Sequence, residues 1–169
     1  MQKYEQLCIS KNDKVVVFDP INSHTATHFK DAPKLRVIVE ELLSQMVIKG
    51  KSIAGDFDMG KIVGTCDVVE IDDTDELVYA MRKQREDQGY VPFTKSRLPQ
   101  PSRFVSIYLV HKNGSNYELL CAWIGNFDSP DFPQMLSATT DSLEYWSSHA
   151  FVWGSQEIIQ DSEIDSCPW

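Results

Sequence analysis

Residues 104–125 read FVSIYLVHK-NGSN-YELLCAWIG, two β-branched and aromatic runs joined by Asn113-Gly114-Ser115-Asn116. Asn-Gly between two such runs is the strongest short-range signal of a β-hairpin, because both residues tolerate the positive φ that a tight turn needs. Strands are therefore expected over 104–112 and 117–125. Upstream, KVVVF at 14–18 stops at Asp19-Pro20 and reads as a first strand, and 90–94 reads as another, ended before Leu98-Pro99-Gln100-Pro101. The run IVGTCDVVEI at 62–71 suggests one more strand, with Gly64 as a bulge.

Helical signals surround these strands. Leu35, Ile38, Val39, Leu42, Leu43, Met46 and Val47 recur on one face of a helix over 32–48, with Asp31 as N-cap, Pro33 in the first turn and Gly50 beyond the end. Asp73 with Glu76 matches a capping box opening a helix over 74–88, and Asp141 with Glu144 matches a second box. That second helix runs to about Phe151 and would bury Leu143, Trp146 and Ala150. The segments 21–29 and 126–140 read as loops, and 1–13 as a loosely held polar arm. The expected class is α+β, an antiparallel sheet with a central hairpin and about three helices. A single domain is expected over 1–153, followed by an acidic, mobile tail over 154–169.

A chain of 169 residues with 42% hydrophobic, 11% aromatic and 24% charged residues is long and apolar enough to bury a core, which excludes wholesale disorder. No apolar run approaches the roughly 20 residues that cross a bilayer, and the first residues lack a signal-peptide core. Cysteines at 8, 66, 121 and 167 form no CxxC pair and are too sparse for a disulfide scaffold. The expectation is a cytoplasmic protein with reduced thiols and no membrane partner.

Net charge is −9, yet residues 79–112 carry Arg82, Lys83, Arg85, Lys95, Arg97, Arg103 and Lys112 against only Glu86 and Asp87. That local balance of +5 leaves −14 for the rest of the chain. Two readings are open. The cations either neutralise acidic residues of the same chain or form an anion site, for which Arg82, Lys95, Arg97 and Arg103 are the candidates. The overall acidity argues against general nucleic-acid binding. An anionic small molecule or a protein is the expected partner.

His24 and His28 stand four apart, spacing that puts both rings on one side of a helix. Either is a candidate for proton transfer, because imidazole titrates near neutral pH. Thr25 follows the first histidine where a zinc protease needs Glu, and no third ligand stands nearby, so no metal is expected. The acids at 56–76 lack the alternation and terminal Glu of an EF-hand. Cys66 and Cys121 lie in expected strands and read as small buried hydrophobes; His24, His28, His111 or His149 could activate a thiol, but no glycine-flanked elbow or helix N-terminus supports that reading. No glycine-rich phosphate loop is present, so no nucleotide cofactor is expected.

Three stretches carry a resemblance: FTKSRLP at 93–99, AWIG at 122–125 and SLEYWSSHA at 142–150. Across 62–152 they resemble a family of small uncharacterised bacterial proteins. The layout is also similar to metal-independent ribonucleases of the barnase and RelE type. That likeness implies phosphodiester chemistry with His24 or His28 moving the proton and Arg82, Lys95 and Arg97 stabilising phosphate charge. The acidic net charge departs from the basic character of those nucleases. A binding module without catalysis is the favoured reading; a metal-independent phosphodiesterase is the alternative.

Overall fold

The computed structural model describes residues 3–126 and 129–169. In chain order they form strands β1 (Glu5–Ile9) and β2 (Val15–Phe18), helices α1 (His24–Asp31) and α2 (Pro33–Gln45), and strands β3 (Ser52–Asp58), β4 (Gly64–Cys66) and β5 (Val68–Glu70). Strand β6 (Leu77–Met81), a 3-10 turn at Glu86–Gln88, and strands β7 (Tyr90–Thr94) and β8 (Gln100–Ser102) follow. The chain ends with β9 (Phe104–Asn113), β10 (Asn116–Ile124), α3 (Thr140–Ser148) and β11 (His149–Val152). The fold is α+β. It divides into two compact units, Met1–Gly64 with Pro101–Asp128 and Thr65–Gln100 with Ser129–Trp169, where one domain was expected over 1–153.

The first unit is built on the hairpin. Strands β9 and β10 pair antiparallel, with Leu119 opposite Leu109 and Gly114 in the turn at φ 48°. A bulge between Leu119 and Cys121 changes which side chains of β10 face inward. Tyr117 and Leu119 are buried before it and Ala122 after it, while Cys121 is only half-buried. The sheet order is β1-β2-β10-β9-β3, with β2 parallel to β10. Val105, Ile107 and Leu109 of β9 pack in one core with Leu35, Val39, Leu42 and Leu43 of α2, and Ile38 and Met46 lie at its margin. Most of the helix expected at 32–48 is present, but it ends at Gln45, so Val47 lies beyond it and is exposed, and Ala32 caps it without a side-chain hydrogen bond, in place of Asp31.

Two segments of this unit depart from expectation. The arm expected at 1–13 contains β1, which pairs with β2 from Glu5 to Ile9 and buries Leu7; Met1 and Gln2 lie outside the described residues. The loop expected at 21–29 is mostly α1. Its Ser23 side chain accepts the Ala26 N–H at 3.0 Å, which caps the helix. Phe29 lies edge-on to Phe18, their centroids 5.4 Å apart, and Thr25 Oγ1 donates to the Leu119 carbonyl at 3.2 Å. Cap and tertiary contacts together hold a helix that its Ser, Thr and His residues favour weakly.

The second unit has the sheet order β5-β11-β7-β6, with β11 parallel to β7 and the other pairs antiparallel. Its core is Val78, Ala80, Val91, Phe93, Phe132, Trp146 and Phe151. The helix expected over 74–88 is replaced by β6. The Asp73–Glu76 box does not form; Asp72 accepts the Thr74 N–H at 2.8 Å and Asp75 accepts the Asp72 N–H at 2.8 Å, turning the chain into a strand. The strand expected at 62–71 is split into β4 and β5.

Helix α3 is capped by Thr139 and Ser142 instead of Asp141 and Glu144, and it gives way to β11 at His149 rather than running to Phe151. Trp146 and Ala150 are buried, but Leu143 is exposed. Of the loop expected at 126–140, Phe127 and Asp128 lie outside the described residues. The tail expected to be mobile is hydrogen-bonded along the edge of β6. Tyr79 and Ile164 exchange both backbone hydrogen bonds at 2.8 Å, Ile159 N–H donates to the Met81 carbonyl at 2.8 Å, and Trp169 stands edge-on to Tyr79 at 5.3 Å. Unpaired strand edges are costly liabilities, and the tail covers this one.

Among the described residues no helix is long and apolar enough to cross a membrane. Leu43 is fully buried and Val37, on the opposite face of α2, is 64% exposed. Leu43→Ala is expected to cost about 2–5 kcal/mol in denaturant unfolding and Val37→Ala less than about 0.5 kcal/mol. Equal losses would refute the packing of α2.

Candidate functional site

Alternation along the second unit's strands places Val78 and Ala80 of β6, Val91 and Phe93 of β7, and Phe151 of β11 on one buried face. Arg82, Lys95 and Trp153, each just beyond its strand, continue the same alternation. Arg82 and Lys95 sit at opposite ends of this face, since Leu77 pairs with Thr94 and Met81 with Tyr90. Each side chain lies over an aromatic ring. The Arg82 guanidinium carbon is 4.9 Å from the Phe151 centroid and 5.5 Å from that of Phe132, and Lys95 Nζ is 4.9 Å from the Trp153 centroid.

A cavity of about 160 Å³ opens on this face, lined by Phe93, Trp153, Gly154, Gln156 and Ile158. Trp153 stands edge-on to Phe93 with centroids 5.6 Å apart. Gly154, at φ 89°, makes the turn that brings the tail back across the sheet. Gln156 and Ile158 connect the cavity to Arg82. Arg82 Nη1 donates to Gln156 Oε1 at 3.1 Å, Nη2 donates to Gln88 Oε1, and Ile158 is bridged to Arg82 through the backbone.

Arg82 differs from its neighbours in what neutralises it. Among the described residues no carboxylate forms an ion pair with it, and Arg82 Nε and the nearby Ser155 Oγ are buried without hydrogen-bond partners. Burial, with repulsion from Arg85 next, pushes the guanidinium pKa down to about 10, and Asp87 partly opposes this.

The other two cations expected at an anion site are committed to carboxylates. Arg97 grips Asp75 with both Nε and Nη2 at 2.8 Å and reaches Asp72 at 3.1 Å. The Arg97 hydrogen bonds, then that of the Asp72 backbone N–H, hold the Asp75 carboxyl below the ordinary carboxylate range. Arg103 belongs to the first unit, where it makes two hydrogen bonds to Asp58, at 3.1 and 2.8 Å. Lys112 likewise meets Glu118 at 2.7 Å, and Lys83 lies 3.9 Å from Glu157. Most of the basic segment therefore neutralises acids of its own chain.

His24 and His28 lie one turn apart on α1 with rings stacked at 5.9 Å, and they belong to the first unit. Neither unit alone assembles these histidines with Arg82, Lys95 and Arg97. His149 is held tightly in the second unit, its ring stacked 3.9 Å from that of Tyr145 and nearly parallel to it, its Nδ1 2.9 Å from the Tyr145 carbonyl. All four cysteines carry free thiols, and burial pushes that of Cys8 up to about 11. No group of three or more His, Cys, Asp or Glu among the described residues is placed to hold a metal ion.

Sequence reasoning missed Gly154, Gln156 and Ile158, because the acidic tail obscured their role. The available signal was the apolar set Ile158, Ile159, Ile164 and Trp169 recurring among its acids. No family model matches the chain, and neither a curated protein nor a solved structure matches it.

The Asp75–Arg97 pair has a pH signature. A carboxyl whose folded pKa is depressed contributes stability that is fully present above its unfolded pKa, about 4, and is lost as pH falls through the folded value. Asp75→Asn is expected to unfold more readily at pH 7 and to show a shallower loss of stability below about pH 4. An acid limb as steep as that of the unaltered protein, measured by urea unfolding, would contradict the role of the pair.

Proposed function

We propose that the protein is a non-catalytic binding module that holds an anionic ligand on the aromatic face of its second unit, between Arg82 and Lys95. The observation that supports this reading is the half-buried Arg82 guanidinium, whose Nη groups meet only neutral amides. A cation removed from water without a counter-charge is unfavourable, and neutral hydrogen bonds offset only part of that penalty. An incoming anion supplies the missing charge.

The net charge of −9 repels large polyanions over distances beyond contact, which favours a small ligand over RNA or DNA. The metal-independent ribonuclease reading would need His24 or His28 to work together with Arg82, Lys95 and Arg97. Hydrolysis of a short RNA, lost in His24→Ala or His28→Ala, would replace the binding reading with that one.

Inorganic phosphate is expected to raise the melting temperature. At ten times its Kd a ligand selective for the folded state contributes about 1.4 kcal/mol, or about 3–6 °C for a protein of this size. The shift is expected to shrink with added sodium chloride, to disappear in Arg82→Gln, and to persist in Arg97→Ala, which merely loses stability. Lys95→Gln alters an exposed side chain and is expected to weaken the shift without disturbing the fold. A melting temperature indifferent to millimolar phosphate and sulfate would end the proposal.

A further inference from the structure

We infer that the anionic ligand carries a single aromatic ring, seated in the cavity between Phe93, Trp153 and Ile158 with its acid group toward Gln156 and Arg82. This rests on the anion-binding reading and adds to it the chemical class of ligand: a small aryl phosphate or aryl carboxylate.

Three features of the cavity argue for the ring. Its volume, about 160 Å³, matches the apolar cavities of roughly 150 Å³ that accept benzene, and is small for a nucleoside, whose base and sugar together need more space. Its walls are two aromatic rings set edge to face at 85° and one branched aliphatic side chain, a surface that a planar group fills without displacing a polar partner. Gln156 is the one amide side chain of the lining, and its contact with Arg82 identifies the end at which the acid group lies. Gln156 Oε1 accepts from Arg82 Nη1, so the side chain that lines the cavity also touches the guanidinium, and its amide N–H groups are not used in that contact. The acid group of a seated aryl acid thereby meets a neutral donor first, with the guanidinium behind it. Lys95, lying over Trp153 at the opposite wall, adds attraction over a longer range.

The probes that separate ring from charge are phenyl phosphate, cyclohexyl phosphate and methyl phosphate, titrated calorimetrically into the full chain. Phenyl phosphate is expected to bind at least tenfold more tightly than methyl phosphate and severalfold more tightly than cyclohexyl phosphate. Ile158→Phe, which fills the cavity from its own wall, is expected to abolish the phenyl preference, so that phenyl and methyl phosphate bind alike. Equal binding of phenyl and methyl phosphate would overturn the ring seat and leave anion binding standing. Cyclohexyl phosphate binding as tightly as phenyl phosphate would overturn its aromatic character. A phenyl preference that survives in Ile158→Phe would overturn its location, and no binding of any probe would overturn the anion site as well.

Discussion

The parallel pairing of β11 with β7, Phe151 opposite Phe93 and Val152 opposite Thr94, is the constraint on which the second unit depends. These rungs join residues far apart in the chain, so the ladder contributes little until the core beneath it closes. Once formed, it aligns Phe93, Phe151 and Trp153 on one face, and Phe132 and Trp146 stack against Phe151 from above the sheet. The Gly154 turn then returns the tail along β6, closing the sheet edge and walling the cavity. A one-residue slip of β11 would send Phe151 to the other face and remove core and cavity together.

The same dependence explains which parts of the molecule were legible in the sequence. The β9–β10 hairpin and α2 carry their own signals, a turn dipeptide between β-branched runs and an apolar stripe at helical spacing, and both appear in place. Strand β6 carried a misleading one. Asp73 with Glu76 has the spacing of a capping box, but the carboxylates that act are Asp72 and Asp75, and they stabilise a turn entering a strand whose pairing partners lie in β7 and the tail. Helix α1 shows the reverse. Its composition is poor for a helix, and the Ser23 cap and the Phe29–Phe18 contact decide in its favour. Local propensity loses in both places because partners remote in sequence contribute more than the roughly half a kcal/mol per residue that propensity supplies.

The candidate site was legible only in its cations. Arg82 and Lys95 stood out by charge, but so did Arg97 and Arg103, and charge alone does not separate a ligand-binding arginine from a structural one. What separates them is what stands opposite. Arg97 meets a carboxylate in a side chain 2% exposed, whereas Arg82 meets two glutamine amides and the faces of two phenylalanines. Both arrangements supply guanidinium hydrogen bonds, but the second leaves Arg82 Nε without a partner, and only the first sets a carboxylate against the charge.

That difference fixes where in an acidic protein an anion can be held. Asp72 and Asp75 stand against Arg97, Asp58 against Arg103, Glu118 against Lys112 and Glu157 against Lys83, and an anion approaching those cations must displace a covalently attached competitor at high effective concentration. Among the described residues no such competitor is paired with Arg82. The aromatic rings that flank it add attraction without adding negative charge, and they exclude water that would otherwise screen it. A cation at this position remains available to a ligand because the surrounding core is aromatic rather than acidic, so the same packing that completes the second unit also leaves Arg82 without an ion-paired carboxylate among the described residues.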